Sequence, residues 1–166
     1  SDRGIGKGIA ICLAKEGCKV VVNSYKESEE ARKTVEEIKK LGSDAIFIKA
    51  NVTREIDVRD LVEKTVKKFG KLDILVNNAG ILVSGTVTTL TEKDWGRQMD
   101  VNLKGVFLCM KYAVQQMLKQ GKGGRVINIS SIAGLVGFPG ISAYCASKGG
   151  VTELTSLDDK DLAIQH

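Results

Sequence analysis

Histidine is nearly absent: the one imidazole is His166, at the end of the 166 residues. That argues against a Ser-His-Asp triad and leaves no histidine cluster for a zinc site, so no metal is expected. Aromatic residues make up 5% of the chain, and no basic block stands clear of acids. The net charge of +5 therefore does not read as a nucleic-acid surface. Much of the lysine lies at 27–40 and 54–68, interleaved with acids on helical segments, the pattern of a solvated face. Long apolar runs are missing too, since none reaches the roughly 18 residues that a membrane span needs. The four cysteines (Cys12, Cys18, Cys109, Cys145) form no C-x-x-C pair. Scattered in this way they read as reduced, buried thiols of a cytoplasmic protein, with Cys145 a packing group. Repeats and low-complexity linkers are also lacking. With 43% hydrophobic residues, what remains is one domain's worth of chain with a core.

What is present begins with Tyr144-Cys145-Ala146-Ser147-Lys148. Residues i and i+4 share a helix face, so the phenol and the ammonium of this pair point into the same space. An isolated tyrosine, with a pKa of about 10, is a poor acid or base near neutrality. A lysine cation within roughly 4–6 Å favours the phenolate and brings the tyrosine into the useful range for general acid–base work. Ser131 stands upstream, after an apolar strand-like run, where its hydroxyl can hydrogen-bond a carbonyl oxygen.

Three further features join that pair. Ser1-Asp2-Arg3-Gly4-Ile5-Gly6-Lys7-Gly8 runs into an apolar stripe of Ile9, Ala10 and Leu13 that ends at Gly17. Glycines opening a helix let the backbone approach a pyrophosphate, which the helix N-terminus attracts. Leu72-Asp73-Ile74-Leu75-Val76 is followed at once by Asn77-Asn78-Ala79-Gly80, small residues and amides where open α/β sheets bind ligands. Asn102 interrupts an otherwise long helical pattern that Thr91 begins and that runs to Gln120.

Strands and helices alternate. Strands are expected at 19–22, 45–49, 72–76 and 125–130. A helix with Ala31, Val35 and Ile38 on one face fills 29–41. Thr53 is expected to cap a second, closed by Gly70, and Tyr144 enters the last. This alternation, with near-continuously apolar strands, predicts an α/β fold with a doubly wound parallel sheet.

On Gly4-Ile5-Gly6, Asn77-Asn78-Ala79-Gly80, Asn102, Ser131 and the Tyr144/Lys148 pair, in that order, residues 1–155 resemble the short-chain dehydrogenase/reductase family. The likeness is to 3-oxoacyl carrier-protein reductases and glucose dehydrogenases. It implies one Rossmann-like nucleotide-binding domain over 1–166, incomplete in that its first and last strands are missing. The absent first strand would lie between those at 20–22 and 74–76, and Leu157–Asp161 interrupts the last helix early. A longer chain is therefore expected.

The same resemblance implies a catalytic tetrad. Tyr144 is the acid–base group, Lys148 lowers its pKa and reaches the nicotinamide ribose, Ser131 holds the carbonyl, and Asn102 holds a water linking Lys148 to solvent. Ser131 is preferred to Ser130 because the family's Ser-to-Tyr spacing selects it and strand alternation sends neighbours to opposite faces. Cofactor-binding positions are Ser1, Arg3, Gly4, Ile5 and Gly6 at the glycine turn, Ser24 and Lys26 at the second strand, Asn51 and Val52 beside the adenine, Asn78, Ala79 and Gly80, and Tyr144 with Lys148. Asn51, where the family often has aspartate, can still bond the ring amine. Val22-Asn23-Ser24-Tyr25-Lys26 lacks the carboxylate that holds a ribose 2′-OH in NAD-preferring members. Arg3 and Lys26 can pair with a 2′-phosphate, so NADP is the expected cofactor, with NAD possible. The expected reaction interconverts a small-molecule carbonyl and a secondary alcohol, first a 3-oxoacyl thioester. A sugar or polyol dehydrogenase and a non-catalytic NADP-binding scaffold are the alternatives. The partner implied is a second copy, in a homotetramer or dimer formed through the helices containing Asn102 and Tyr144.

Overall fold

In the computed structural model residues 3–156 are described. They fall into two compact units, within Ser1–Lys71 and Leu72–His166. Ser1, the break expected at 157–161 and His166 lie outside the described residues.

Unit 1 runs α1 (Gly4–Lys15), β1 (Val20–Ser24), α2 (Glu29–Lys40), β2 (Ala45–Lys49) and α3 (Glu55–Phe69). The inward positions of α1 are Gly6, Ala10 and Ala14, small enough for the helix to lie close on its neighbours. Ser28 starts α2, its hydroxyl accepting from the Ala31 N–H at 3.2 Å, with Glu29 and Glu30 in the first turn and Lys39 and Lys40 in the last. The core joins Ala10, Ala14, Val20, Val22, Ala31, Ile38 and Ala45. Burying a side chain the size of Ile38 is worth roughly 1.5–3 kcal/mol.

β1 and β2 pair in parallel from Val20↔Ala45 to Ser24↔Lys49. The Asn23 amide donates to the Ile48 and Ala50 carbonyls at 3.0 and 3.2 Å, and the Ala50 N–H donates to the Ser24 carbonyl at 3.1 Å. Segments 24–26 and 50–53 therefore leave the carboxyl ends of the two strands side by side. Charges on the helices are paired along the exposed face, as in Lys33–Glu29 at 2.7 Å, Arg32–Glu27 at 2.8 Å and Lys7–Glu37 at 2.6 Å. That is the solvated face expected of interleaved charge.

Unit 2 runs β3 (Ile74–Asn77), α4 (Glu92–Met99), a π-helical turn (Asp100–Lys104), α5 (Gly105–Gln120), β4 (Arg125–Asn128), a 3-10 turn (Ile132–Gly134) and α6 (Ser142–Thr155). β3 and β4 pair in parallel from Ile74↔Arg125 to Asn77↔Asn128. Val106 and Met110 of α5 and Val151 of α6 pack with Leu75 and Val126 of the strands. The fold is thus α/β and Rossmann-like, with parallel pairing throughout the described strands.

Several sequence expectations are corrected. The helix that Thr91 caps runs to Gln120 as expected, but residues Asp100–Lys104 within it take an i→i+5 turn that the pattern did not show. The strand expected at 125–130 ends at Asn128, although the Ile129 N–H still bonds the Asn77 carbonyl at 2.9 Å. Thr53 does not cap α3; Arg54 holds the cap position without a side-chain bond, and Thr53 is engaged by Asn51. Nor are all the thiols buried. Cys12 is exposed, Cys18 and Cys145 are half-buried, and Cys109 is buried, with its thiol pushed up to about 12 by desolvation.

Candidate active site

Lys148 shows why the last helix matters. Its ammonium is charged and long, yet the residue is 5% exposed. Nζ donates to the Ile129 carbonyl at 2.6 Å, where β4 has just ended, and stands 5.8 Å from the centroid of the Tyr144 ring. Burial holds this lysine below the ordinary lysine range. A buried ammonium is costly unless its donors are used, and one carbonyl occupies only one of the three. The Tyr144 hydroxyl, half-buried, has no hydrogen-bond partner among the described residues.

Asn102 sits in the π-helical turn and is fully buried. Its Oδ1 accepts from the Ile81 N–H at 2.8 Å, and its Nδ2 donates to the Ile81 carbonyl at 2.9 Å and to Ser147 Oγ at 3.0 Å. Both amide donors are spent, and the oxygen keeps one lone pair. The loop after β3 is thereby clamped through both backbone groups of one residue, Ile81. A side chain at Gly80 would meet Asn102 Oδ1 at 3.5 Å and Lys148 Nζ at 3.8 Å. Asn78-Ala79-Gly80, Asn102 and Lys148 are therefore brought together.

Ser130 and Ser131 make different bonds. Ser130 Oγ donates to the Lys148 carbonyl at 3.0 Å and lies 2.9 Å from Thr152 Oγ1, which ties it to α6. Ser131 Oγ only accepts, from the Ala133 N–H at 3.2 Å, so its own proton has no acceptor among the described residues. The 3-10 turn that Ser131 opens is pressed on α6. A Cβ on Gly134 would stand 2.7 Å from both the carbonyl carbon and oxygen of Lys148. Gly134→Ala is accordingly expected to lower stability by about 1–3 kcal/mol through forced backbone movement. Denaturant unfolding checks this, and an unchanged midpoint would contradict so close an approach.

Sequence reasoning did not single out Ser147 or Gln98. Ser147, fully buried, donates to the Tyr144 carbonyl at 2.9 Å while accepting from Asn102, which makes it the joint between α6 and the π-helical turn. Gln98, also fully buried, accepts from the Val83 N–H at 2.6 Å.

Unit 1 carries the other expected positions, and its residues fit the dinucleotide that the resemblance implies. Arg3 precedes α1 in extended conformation and makes no side-chain cap, so the N–H groups of the first turn meet no capping side chain. Gly4 has φ +54 with nothing within 4 Å of where its Cβ would be, and Gly6 is buried. Ile5 is exposed beside them. Such a turn offers open space, free N–H groups and positive dipole to a phosphate. At the end of β1, Ser24 is half-buried and Tyr25 and Lys26 are exposed, with Lys26 Nζ 5.7 Å from the Tyr25 ring centroid and no carboxylate in the segment. Asn51 and Val52, half-buried, follow β2.

Comparison with known proteins agrees with this geometry. The family described as short chain dehydrogenase matches residues 1–165. A 3-oxoacyl-(acyl-carrier-protein) reductase of Staphylococcus aureus is 45% identical over 163 residues, which cover 98% of this chain and 66% of the relative. An uncharacterized oxidoreductase of Thermotoga maritima is 46% identical over 165 residues, covering 98% and 64%. Among solved structures, acetoin dehydrogenase from Enterobacter cloacae superposes with a TM-score of 0.91 at 34% identity, covering 98% of this chain and 65% of that one. The chain thus spans slightly less than two thirds of the length of these relatives. With the family matched almost end to end, and its motifs gathered as described within each unit, the chain belongs to the short-chain dehydrogenase family.

Proposed function

We propose that the protein is an NADP(H)-preferring oxidoreductase that interconverts a carbonyl and a secondary alcohol, with a 3-oxoacyl thioester as the substrate class. The observation that carries this reading is the buried Lys148 ammonium, anchored on the Ile129 carbonyl and 5.8 Å from the Tyr144 ring. A purely structural helix has no reason to bury a cation against a phenol whose hydroxyl has no partner among the described residues.

A bound nicotinamide cofactor supplies or accepts the hydride. The chain's own residues handle the oxygen. In reduction Tyr144 gives its proton to the carbonyl oxygen while the Ser131 hydroxyl donates a hydrogen bond to it, and in oxidation Tyr144 takes the proton back. The Lys148 cation favours charge developing on the phenolic oxygen, and its unused protons face the Gly80 loop, where a ribose can be held. Asn102 positions that loop, and the remaining lone pair of its Oδ1 is free for a water that returns protons toward Lys148.

The thioester assignment is supported by the 45% identity to a 3-oxoacyl-(acyl-carrier-protein) reductase. Small hydroxyketones form a second reading, favoured by the fold likeness to acetoin dehydrogenase. A cytoplasmic setting fits the four free thiols. Assembly into a homotetramer or dimer through α5 and α6 fits the large apolar side chain of Phe107, exposed on α5. Among the described residues no helix is long and apolar enough to cross a membrane.

NADP preference rests on Arg3, Lys26 and the missing carboxylate after β1. NADPH is expected to bind more tightly than NADH by roughly ten- to a hundredfold, the equivalent of one charge-assisted contact. Arg3→Ala narrows the gap. Fluorescence titration of both cofactors measures it, and equal affinities in the unmutated protein would defeat the argument.

A further inference from the structure

Gln98 is a buried amide with one end in use and the other idle. Its Oε1 accepts from the Val83 N–H at 2.6 Å. A backbone N–H can only donate, so this contact fixes which end of the amide is oxygen. Nε2 is buried and has no partner among the described residues. An unpaired buried donor is a cost that a leucine of similar size would not carry. Packing alone therefore does not account for glutamine at this position.

The one bond it makes belongs to a series. Asn102, one helical turn further along, holds both backbone groups of Ile81. Gln98 holds the N–H of Val83, and the N–H of Gly85 donates to the Gly140 carbonyl at 2.7 Å. Ile81, Val83 and Gly85 are half-buried, while Leu82 and Ser84 between them are exposed. That period of two marks an extended segment, held by two side-chain amides where a neighbouring strand would serve. It ends in a parallel bridge between Gly85 and Ile141.

The bridge is where α6 begins. Ile141 holds the cap position of that helix without a side-chain bond, and its carbonyl accepts from the Cys145 N–H at 3.0 Å. Tyr144 lies in the first turn. The segment thus runs from Gly80, beside Asn102 and Lys148, to the start of the helix that carries the phenol. We propose that Gln98 is a positioning residue for Tyr144, acting through the extended segment 81–85. Asn102 fixes that segment at its Gly80 end, and Gln98 fixes the half that meets α6. This inference rests on the proton-transfer role proposed for Tyr144.

The test is single-turnover reduction of an acetoacetyl thioester by the full-length protein with NADPH, beside a fluorescence titration of NADPH. Gln98→Leu removes the acceptor for Val83 and the idle donor together, so the unfolding midpoint should hold while the rate falls. A misplacement of about 1 Å at a reacting group costs up to about 10²-fold, and a loss of roughly ten- to a hundredfold is expected. Affinity for NADPH should be unchanged, because Asn102 still holds Ile81. The solvent deuterium isotope effect on the rate should rise, since proton donation is the step disturbed. A Cβ on Gly85 would stand 2.9 Å from Leu90 Cδ1 and 3.2 Å from its Cα. Gly85→Ala therefore disturbs the bridge by an independent route and should show the same split between rate and affinity. Unmutated rates in both variants overturn the proposal, as do slowed rates with an unchanged isotope effect or a matching loss of NADPH affinity. A Gln98→Leu chain too unstable to fold also counts against it. An unmutated protein that oxidises NADPH with no carbonyl compound removes the role of Tyr144 itself, which is a different result.

Discussion

Tyr144→Phe is expected to reduce kcat by at least about 10²-fold, the lower bound of what a general acid–base group supplies. Cofactor affinity should stay within a few-fold, because the substitution deletes one oxygen that has no partner among the described residues and keeps the ring beneath Lys148. The fold should be unaffected for the same reason. Single-turnover rates measured beside a fluorescence titration separate the two effects. A variant that retains more than about a tenth of the activity removes Tyr144 from the proton-transfer role.

Lys148→Met is expected to have a comparable effect on turnover and a small one on stability, an unusual pairing for a buried residue. Burial holds the Lys148 pKa below its unfolded value. Between the two values the unfolded chain binds more protons, so stability rises with pH through that window, and at neutral pH the buried ammonium is a cost. Methionine removes that cost and leaves the Ile129 carbonyl without its donor, a loss of about 1–3 kcal/mol. The two offset, and the net change should be no more than about 2 kcal/mol. Denaturant unfolding across the alkaline range checks the sign. The unmutated protein should gain stability with rising pH over the window, and Lys148→Met should lose that part of the slope. A strongly destabilised variant would mean that the ammonium is a net stabiliser of the fold.

Much of this was legible in the sequence because it rests on local rules. Gly17 and Gly70 after their helices and the apolar runs at 45–49 and 74–76 follow from capping and from strands covered on both faces. The Tyr144/Lys148 pair followed from helix periodicity. The choice of Ser131 over Ser130 came from the family's Ser-to-Tyr spacing, and Ser130 is the one bonded to Lys148 and Thr152 of α6.

Two things were not legible, for different reasons. The π-helical turn at Asp100–Lys104 satisfies the same polar and apolar pattern as an α-helix, and only tertiary bonds from Asn102 to Ile81 and Ser147 repay the extra residue. Asn102 was visible as a polar break, but its partners lie far along the chain, and nothing local names them. Thr53 looked like a helix cap because threonine before an acidic turn is one. The side chain of Asn51, two residues earlier, offered a closer acceptor and closed a turn of its own, which displaced the helix start to Arg54.

The most direct test of the account is to mix the full-length protein with NADPH and an acetoacetyl thioester and follow the absorbance of the reduced nicotinamide. Consumption by the unmutated protein is expected, slowed at least about 10²-fold in Tyr144→Phe. NADPH that binds yet is never oxidised, by acetoacetyl thioesters, hydroxyketones or sugars alike, would contradict it.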